Sequence, residues 1–328
     1  MKAVVYHEYG APENVLELRD IDKPVVADDE VLVRVRAVSL NPYDWHFLRG
    51  LPYVMRLMFG LRKPRKTPTV LGSDMAGQVE SVGRNVTRFR PGDEVFAEVG
   101  TGGCAEYISV PEEKPELKPT SLTFEQAAAV PMAAQTALVG LRDQANVQPG
   151  QKVLINGASG GVGTFAVQLA KAFGAEVAGV CSTRNMNMVR SLGADHVIDY
   201  TQEDFTQGER RYDFILDTVG NHSMSECRSV LTPKGTYGAP GAGGGRWLGA
   251  ATQQLKAALL SPFVSQKLVP VNDKPNQDLR FLKELIEAGQ VTPVIDTTYP
   301  LSQTPDAMAH VEEGHARGKI VIAVAGAN

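Results

Sequence analysis

Residues 152–174, KVLINGASGGVGTFAVQLAKAFG, constrain the fold more than any other stretch of the chain. Val153, Leu154 and Ile155 form a short apolar run of the length that a buried parallel strand uses. Asn156 to Gly163 then crowd four glycines into a tight turn. Beyond it, Phe165, Val167, Leu169, Ala170 and Phe173 recur at roughly helical spacing. Strand, glycine turn and helix in this order offer a pyrophosphate the amides of the turn and the positive end of the helix. Small residues let backbone and ligand approach closely. Read as A-x-G-x-x-G, the fingerprint is Ala158, Gly160 and Gly163, with alanine replacing its first glycine. With both flanks present, the context points to a dinucleotide site; the alternative is a structural glycine turn.

The rest of the chain is large enough to supply such a site with a second domain. Its 328 residues suggest two domains, and 43% hydrophobic content is ample for two cores. A net charge of −4 argues against nucleic acid as a main partner, because phosphate binding needs a broad basic face. MKAVVYHEYG lacks the apolar centre of a signal peptide, and no stretch approaches the roughly 18 unbroken apolar residues of a membrane helix. Cys104, Cys181 and Cys227 are odd in number and form no C-x-x-C pair. They suggest reduced thiols in a cytoplasmic protein, with no disulfide framework and no zinc cluster.

Residues 1–110 read as β-rich. In Glu30–Ala37, Val31, Val33 and Val35 share one face while Arg34 and Arg36 lie on the other. Gly77–Gly83 and Asp93–Glu98 are further short strands, with Pro91-Gly92-Asp93 as the turn between them. Val38–Gly50 concentrates Asn41, Tyr43, Asp44, Trp45, His46 and Arg49. Leu51–Pro68 has five basic residues, no acid and an apolar centre of Val54, Met55, Leu57, Met58 and Phe59. That segment reads as a loop or short helix covering a core edge. It also reads as a greasy lid over a substrate pocket, or as a contact with an anionic membrane surface.

From Thr123 the pattern turns helical, through Phe124–Ala129 and Gln135–Arg142, and strand-and-helix units follow at the rhythm of a parallel sheet. The spacing predicts strands at Val153–Asn156, Glu176–Cys181, His196–Ile198, Phe214–Asp217 and Gly235–Tyr237, with Val264–Val271 a sixth. Helices are expected at about Val162–Phe173, Asn185–Leu192 and Ser223–Val230. Asp278–Ala288 is a further helix whose apolar residues suit one buried stripe. Domain boundaries fall near 125 and 272, giving 126–272 as the nucleotide-binding domain and 1–125 with 273–328 as the other.

Eight stretches, in order, resemble the medium-chain dehydrogenase/reductase superfamily, and within it the zinc-independent NADPH:quinone oxidoreductases. They are NPYD (41–44), VLGSDMAG (70–77), RPGDEVF (90–96), AAAVPMAAQTA (127–137), GASGGVG (157–163), LGADHVIDY (192–200), FILDTVG (214–220) and GHARGK (314–319). The resemblance implies an α/β protein: a GroES-like β-barrel catalytic domain formed by both chain ends, and a Rossmann domain with a doubly wound parallel sheet. It places the active site in the cleft. Where the zinc alcohol dehydrogenases carry a cysteine ligand, this chain has Asn41; Ser73 falls at their histidine ligand and Met132 near their second cysteine. Zinc binds through thiolate, imidazole or carboxylate, so no metal site is expected.

An NAD site normally places a carboxylate about 20 residues past the glycine turn. Nineteen residues after Gly163 stands Ser182, followed by Thr183, Arg184 and Asn185. No acid in that run repels a 2′-phosphate, and Arg184 supplies a planar cationic fork. NADPH is therefore expected rather than NADH; the alternative is a surface turn capping a helix. Tyr200 falls where related quinone reductases use a tyrosine near that phosphate. By resemblance, Ala158, Ser159, Gly160, Gly161 and Val162 face the pyrophosphate. Thr136, Val219, Gly241 and Ala242 lie along the nicotinamide end, and Lys319 reaches the cofactor.

Without a metal to polarise a carbonyl, the acceptor should already be electron-poor. A quinone is expected; the alternatives are enals, enones or enoyl thioesters, or an NADPH-binding redox sensor or partner-binding module with incidental turnover. Asn41 is expected to donate to the developing oxyanion, Tyr53 to bind the acceptor or supply a proton, and Asp44 to organise the loop. A lone His46 beside Trp45 reads as structural or as a proton shuttle, and Asp217 as a strand-end cap. The resemblance also implies a homodimer joined by an edge strand, Gly235–Ala239 or Val264–Val271.

Overall fold

The computed structural model describes residues 1–240, 264–272 and 274–324. The expected Gly241 and Ala242 contacts, and most of the glycine-rich stretch after Pro240, lie outside the described residues. The chain forms two compact units, one of Met1–Gln135, Lys274–Gly289 and Pro293–Asn328, the other of Thr136–Asp273 and Gln290–Thr292.

The first unit is built on β1 (Lys2–Tyr6), β2 (Glu17–Asp20), β3 (Glu30–Leu40), β4 (Thr69–Val70), β5 (Asp74–Val82), β6 (Glu94–Glu98), β7 (Tyr107–Pro111) and β8 (Glu116–Leu117). The second unit carries β9 (Lys152–Asn156), β10 (Glu176–Cys181), β11 (His196–Asp199), β12 (Tyr212–Asp217), β13 (Leu231–Pro240) and β14 (Lys267–Val271). The chain then returns to the first unit with β15 (Ile295–Pro300) and β16 (Lys319–Ala323).

In the first unit the sheet runs β15-β16-β3-β5-β6-β8, with β7 also on β3, and a smaller sheet runs β2-β1-β4. β3 is its centre: Val31, Val33 and Val35 alternate inward and, past a register shift between Val35 and Ala37, Val38 joins them against Met75, Val79, Val95, Ile320 and Ile322 in one core. Register then decides which distant residues meet. Ser39 pairs with Asp74 and Leu40 with Ile320. The end of β3 is thereby brought to the first residues of β5 and β16. Helix Pro42–Arg49 starts at once after β3 and stops at Gly50, whose φ of 60° suits a residue without a Cβ.

In the second unit the sheet is parallel, in the order β11-β10-β9-β12-β13-β14. The chain runs outward from β9 through β10 to β11, then returns to the other side of β9. The reversal falls between β9 and β12, where doubly wound sheets hold ligands. Helix Gly161–Ala172 follows the glycine turn and buries Phe165, Val167 and Leu169, each worth roughly 1.5–3 kcal/mol of apolar burial.

The structure departs from the periodicity in three places. The helix expected at Gln135–Arg142 starts at Pro131, where proline is pre-set for a first turn, and from Val139 to Gln144 it widens into a π-helical stretch. β14 starts at Lys267, three residues later than expected. The apolar centre of 51–68 does not line a core: Val54, Leu57, Met58 and Phe59 are exposed, because the segment forms only the short turns Tyr53–Met55 and Arg56–Phe59.

Candidate functional site

Three strands deliver a buried polar cluster to the first unit. Asn41 follows β3, Asp74 opens β5 and Lys319 opens β16; Ser73 and Asp44 complete the set, and all five are buried. Asp44 sits in the first turn of helix Pro42–Arg49, so its Oδ2 accepts from the Asn41 backbone N–H at 2.8 Å. The same oxygen accepts from the Ser73 hydroxyl at 2.9 Å. Asn41 Nδ2 donates to Ser73 Oγ at 2.9 Å and Asp74 Oδ2 at 2.9 Å, and more distantly to the Ser39 carbonyl at 3.4 Å. The Met132 backbone N–H donates to Asp74 Oδ1 at 3.2 Å.

Lys319 reaches into this cluster. Its Nζ donates to Asn41 Oδ1 and lies 3.8 Å from Asp74 Oδ2. Burial pulls the Lys319 ammonium below its ordinary range, while Asp74, Asp44 and Glu98 pull it back up. Burial pushes the Asp44 carboxyl up to about 7 against the opposing bonds from Asn41 and Ser73.

Several expectations change here. The two N–H groups of the Asn41 amide already serve three acceptors, so a bond to an oxyanion requires one of these to be exchanged. Lys319, expected at the cofactor, donates to Asn41 Oδ1 and lies beside Asp74. The Tyr53 ring lies under the Arg56 guanidinium at 4.8 Å. His46 stacks on Trp45 at 3.7 Å, and burial lowers its imidazole. Asp74 and Ser73 are the members that spacing alone did not assign. Their signal was in GSD, but its partner Lys319 is 278 residues from Asn41.

Zinc takes thiolate, imidazole or carboxylate, usually with three protein ligands in a catalytic site, whereas this site offers two carboxylates, Asp44 and Asp74, with an amide, a hydroxyl and an ammonium. Among the described residues no three His, Cys, Asp or Glu side chains are grouped to hold a metal ion. The donor set does not fit zinc.

The second unit carries the glycine turn at the reversal of its sheet. Asn156 Nδ2 donates to Asp217 Oδ1 at 2.8 Å and to Asn221 Oδ1 at 2.9 Å. Asp217 also accepts from the N–H groups of Val219 and Gly220 and from the Tyr237 hydroxyl at 2.7 Å. It is a strand-end cap that fixes the Val219 turn, and Val219 itself is exposed. A Cβ on Gly163 would lie 2.0 Å from the Gly157 carbonyl oxygen, so only glycine lets the helix start this close to the turn. Gly160 precedes the helix without a side-chain cap, leaving first-turn amides of Gly161 and Val162 suited to a phosphate. Ala158 is different: its N–H is already bound to the Val180 carbonyl at 2.9 Å. Thr136 is buried.

Ser182 starts a short turn over Thr183–Asn185 just after β10. Asn185 Nδ2 donates to Ser159 Oγ at 3.1 Å and Ser182 Oγ at 3.3 Å, tying this turn to the glycine turn. Arg184 and Tyr200 are exposed. The reading that no acid stands here holds for 182–185 only. The neighbouring strand brings Asp199, whose Oδ2 accepts from Thr183 Oγ1 at 2.5 Å. Its other oxygen accepts from the Thr201 amide and hydroxyl. The Thr183 bond, first among these, holds the Asp199 carboxyl below its usual range. A neighbouring strand, 16 residues from Thr183 at the contact and invisible to local spacing, supplies that charge.

Two family models match: "Alcohol dehydrogenase GroES-like domain" over residues 27–120 and "Zinc-binding dehydrogenase" over residues 192–322. The chain belongs to the medium-chain dehydrogenase/reductase superfamily. It is 34% identical over 339 residues to the chloroplast envelope quinone oxidoreductase homolog of Arabidopsis thaliana, covering 98% of each chain. It is 35% identical over 374 residues to the mitochondrial NAD(P)H oxidoreductase RTN4IP1 of Mus musculus, covering 99% of this chain and 89% of that one. The solved quinone oxidoreductase from Coxiella burnetii has the same fold, with a TM-score of 0.87, 30% identity and 99% of each chain covered. The chain is an NAD(P)H-dependent oxidoreductase of this superfamily.

Proposed function

We propose that the protein is an NADPH:quinone oxidoreductase that works without a metal ion. The observation that carries this reading is the Lys319 ammonium buried against Asn41 and Asp74, where Asn41 and its hydrogen-bond partner Ser73 stand at positions the resemblance matches to zinc ligands. A cation is already supplied there by the chain, and with no Lewis acid at the carbonyl the acceptor must itself be electron-poor. The similarity to quinone oxidoreductases supports the same acceptor class.

A bound reduced nicotinamide supplies the hydride. The chain's own residues bind, orient and manage protons. The amides of Gly161 and Val162, with Ser159, hold the pyrophosphate, while the Gly160 N–H stays bonded to the Gly157 carbonyl at 3.0 Å. Thr136 and Val219 bound the nicotinamide end. Arg184, with Ser182, Asn185 and Tyr200, receives the 2′-phosphate, and the Asp199 charge is turned toward Thr183 and Thr201. Asn41 exchanges one of its three acceptors for the acceptor's carbonyl oxygen. Asp44, titrating at about 7, keeps a proton available through Ser73. Tyr53 contacts the acceptor. Burial pushes the Cys181 thiol up to about 11 and the Cys227 thiol up to about 12, which argues against a thiol-based redox sensor.

The test is NADPH and NADH oxidation by the purified chain across quinones, enones and enals, with and without chelator. Turnover with quinones, faster with NADPH and indifferent to chelator, is expected. Turnover with enones or enals alone would move the reading to an alkene reductase. Tight NADPH binding with no turnover on any of them would make it a binding module. Loss of activity on chelation would overturn the metal-free mechanism.

A further inference from the structure

The segment 51–68 carries Arg56, Arg62, Lys63, Arg65 and Lys66 without an acid, in a chain of net charge −4. Its inner side is anchored. Arg56 donates to the carbonyls of Gly50 and Arg49, each at 2.9 Å, and lies over the Tyr9 ring at 4.6 Å. Phe59 meets the Phe47 ring at 4.7 Å, and Phe47 meets Tyr43 at 4.4 Å. Its outer side is bare: Leu57, Met58 and Leu61 are 65%, 69% and 67% exposed. Of eleven exposed large hydrophobics among the described residues, five (Val54, Leu57, Met58, Phe59 and Leu61) lie in this one segment, and Tyr43 is linked to Phe59 through Phe47. Single exposed apolar residues need no explanation, but a contiguous patch ringed by charge does.

Two features select the partner. Arg62, Lys63 and Lys66 are exposed and form no ion pair among the described residues, so the cations are available to anions outside the chain. Part of the apex backbone is also paired from within. The Gly60 N–H donates to Arg56 O at 2.8 Å, Phe59 O accepts from the Arg65 N–H at 2.8 Å, Gly60 O from the Tyr9 hydroxyl at 3.0 Å, and Leu57 O from Arg65 Nη2 at 3.1 Å. Internal pairing of this kind is what a segment needs to enter a headgroup–acyl boundary, where water is scarce.

We propose that this patch docks on an anionic phospholipid bilayer. Leu57, Met58 and Leu61 enter the acyl boundary, and Arg62, Lys63 and Lys66 pair with lipid phosphates. The attachment is peripheral, and it does not depend on which acceptor the enzyme reduces.

The test is co-sedimentation of the full chain with vesicles of phosphatidylcholine alone and of phosphatidylcholine with phosphatidylglycerol. Binding to the anionic vesicles is expected, at least about tenfold tighter than to the neutral ones and weakened by salt. Replacing Arg62, Lys63 and Lys66 together by Gln should lower partitioning about a hundredfold, at about fivefold per cation. Replacing Leu57, Met58 and Leu61 together by Ser should abolish binding while leaving the circular dichroism melt and turnover of a water-soluble quinone unchanged. Equal or no binding to the two vesicle types overturns the proposal. So does a Ser triple variant that turns a dimer into a monomer in light scattering without altering vesicle binding, which would make the patch an interface between copies. A fall in kcat/KM for the soluble quinone with vesicle binding intact overturns it in favour of a lid.

Discussion

Replacing Lys319 by Met tests whether the buried ammonium holds the cluster together. The substitution removes the cation 3.8 Å from Asp74 and the donor to Asn41 Oδ1, with an apolar side chain of similar length in its place. Removing one member of a buried ion pair typically costs ~3–5 kcal/mol, and an orphaned amide oxygen adds ~1–3 kcal/mol. Because methionine fills the space, no large cavity term adds to this. The expected loss is at least about 4 kcal/mol, a large share of a typical stability of ~5–15 kcal/mol. Urea unfolding followed by circular dichroism reads it. Asp74→Asn in the same background separates charge from packing: if the pair is real, the double variant should recover at least ~1.5 kcal/mol relative to the sum of the singles. A loss below ~1 kcal/mol for Lys319→Met, with no coupling to Asp74, would refute the reasoning.

Stability should also depend on pH through Asp44. Its folded pKa, about 7, lies above its unfolded value, so protonation stabilises the fold. That contribution is complete below about pH 4 and is lost as pH rises through 7; at ~1.4 kcal/mol per unit it amounts to ~4 kcal/mol at most. Asp44→Asn should flatten this slope in a series of urea melts between pH 4 and 8. Gly163→Ala, whose Cβ would lie 2.0 Å from the Gly157 oxygen, should weaken NADPH binding at least ~tenfold in fluorescence titration, because the helix must retreat from the turn. Arg184→Ala should raise KM for NADPH ~tenfold and leave that for NADH unchanged, the loss of one charge-assisted phosphate contact; equal effects on both would remove Arg184 from the 2′-phosphate site. Elemental analysis of the purified chain should find no stoichiometric zinc.

The sequence alone determined what depends on short spacing. Val153–Ile155, the four glycines and the apolar stripe from Phe165 specify strand, turn and helix because each signal lies within one turn or one pleat of the next. The strand expected at Glu176–Cys181 is the strand found, and the ordered family stretches led to the correct superfamily and fold class. Tertiary structure decided the rest, because contacts there depend on strand register, and residues far apart in sequence meet only once the sheet has formed. The pairing of Leu40 with Ile320 and of Ser39 with Asp74 sets Lys319 against Asn41 and Asp74. The neighbouring β11 brings Asp199 to Thr183, and the anchoring of Arg56 turns Leu57 and Met58 outward. Local spacing carries hydrophobic periodicity and turn chemistry; it carries no record of which buried charge will face which, since that is fixed by pairing between segments up to 278 residues apart.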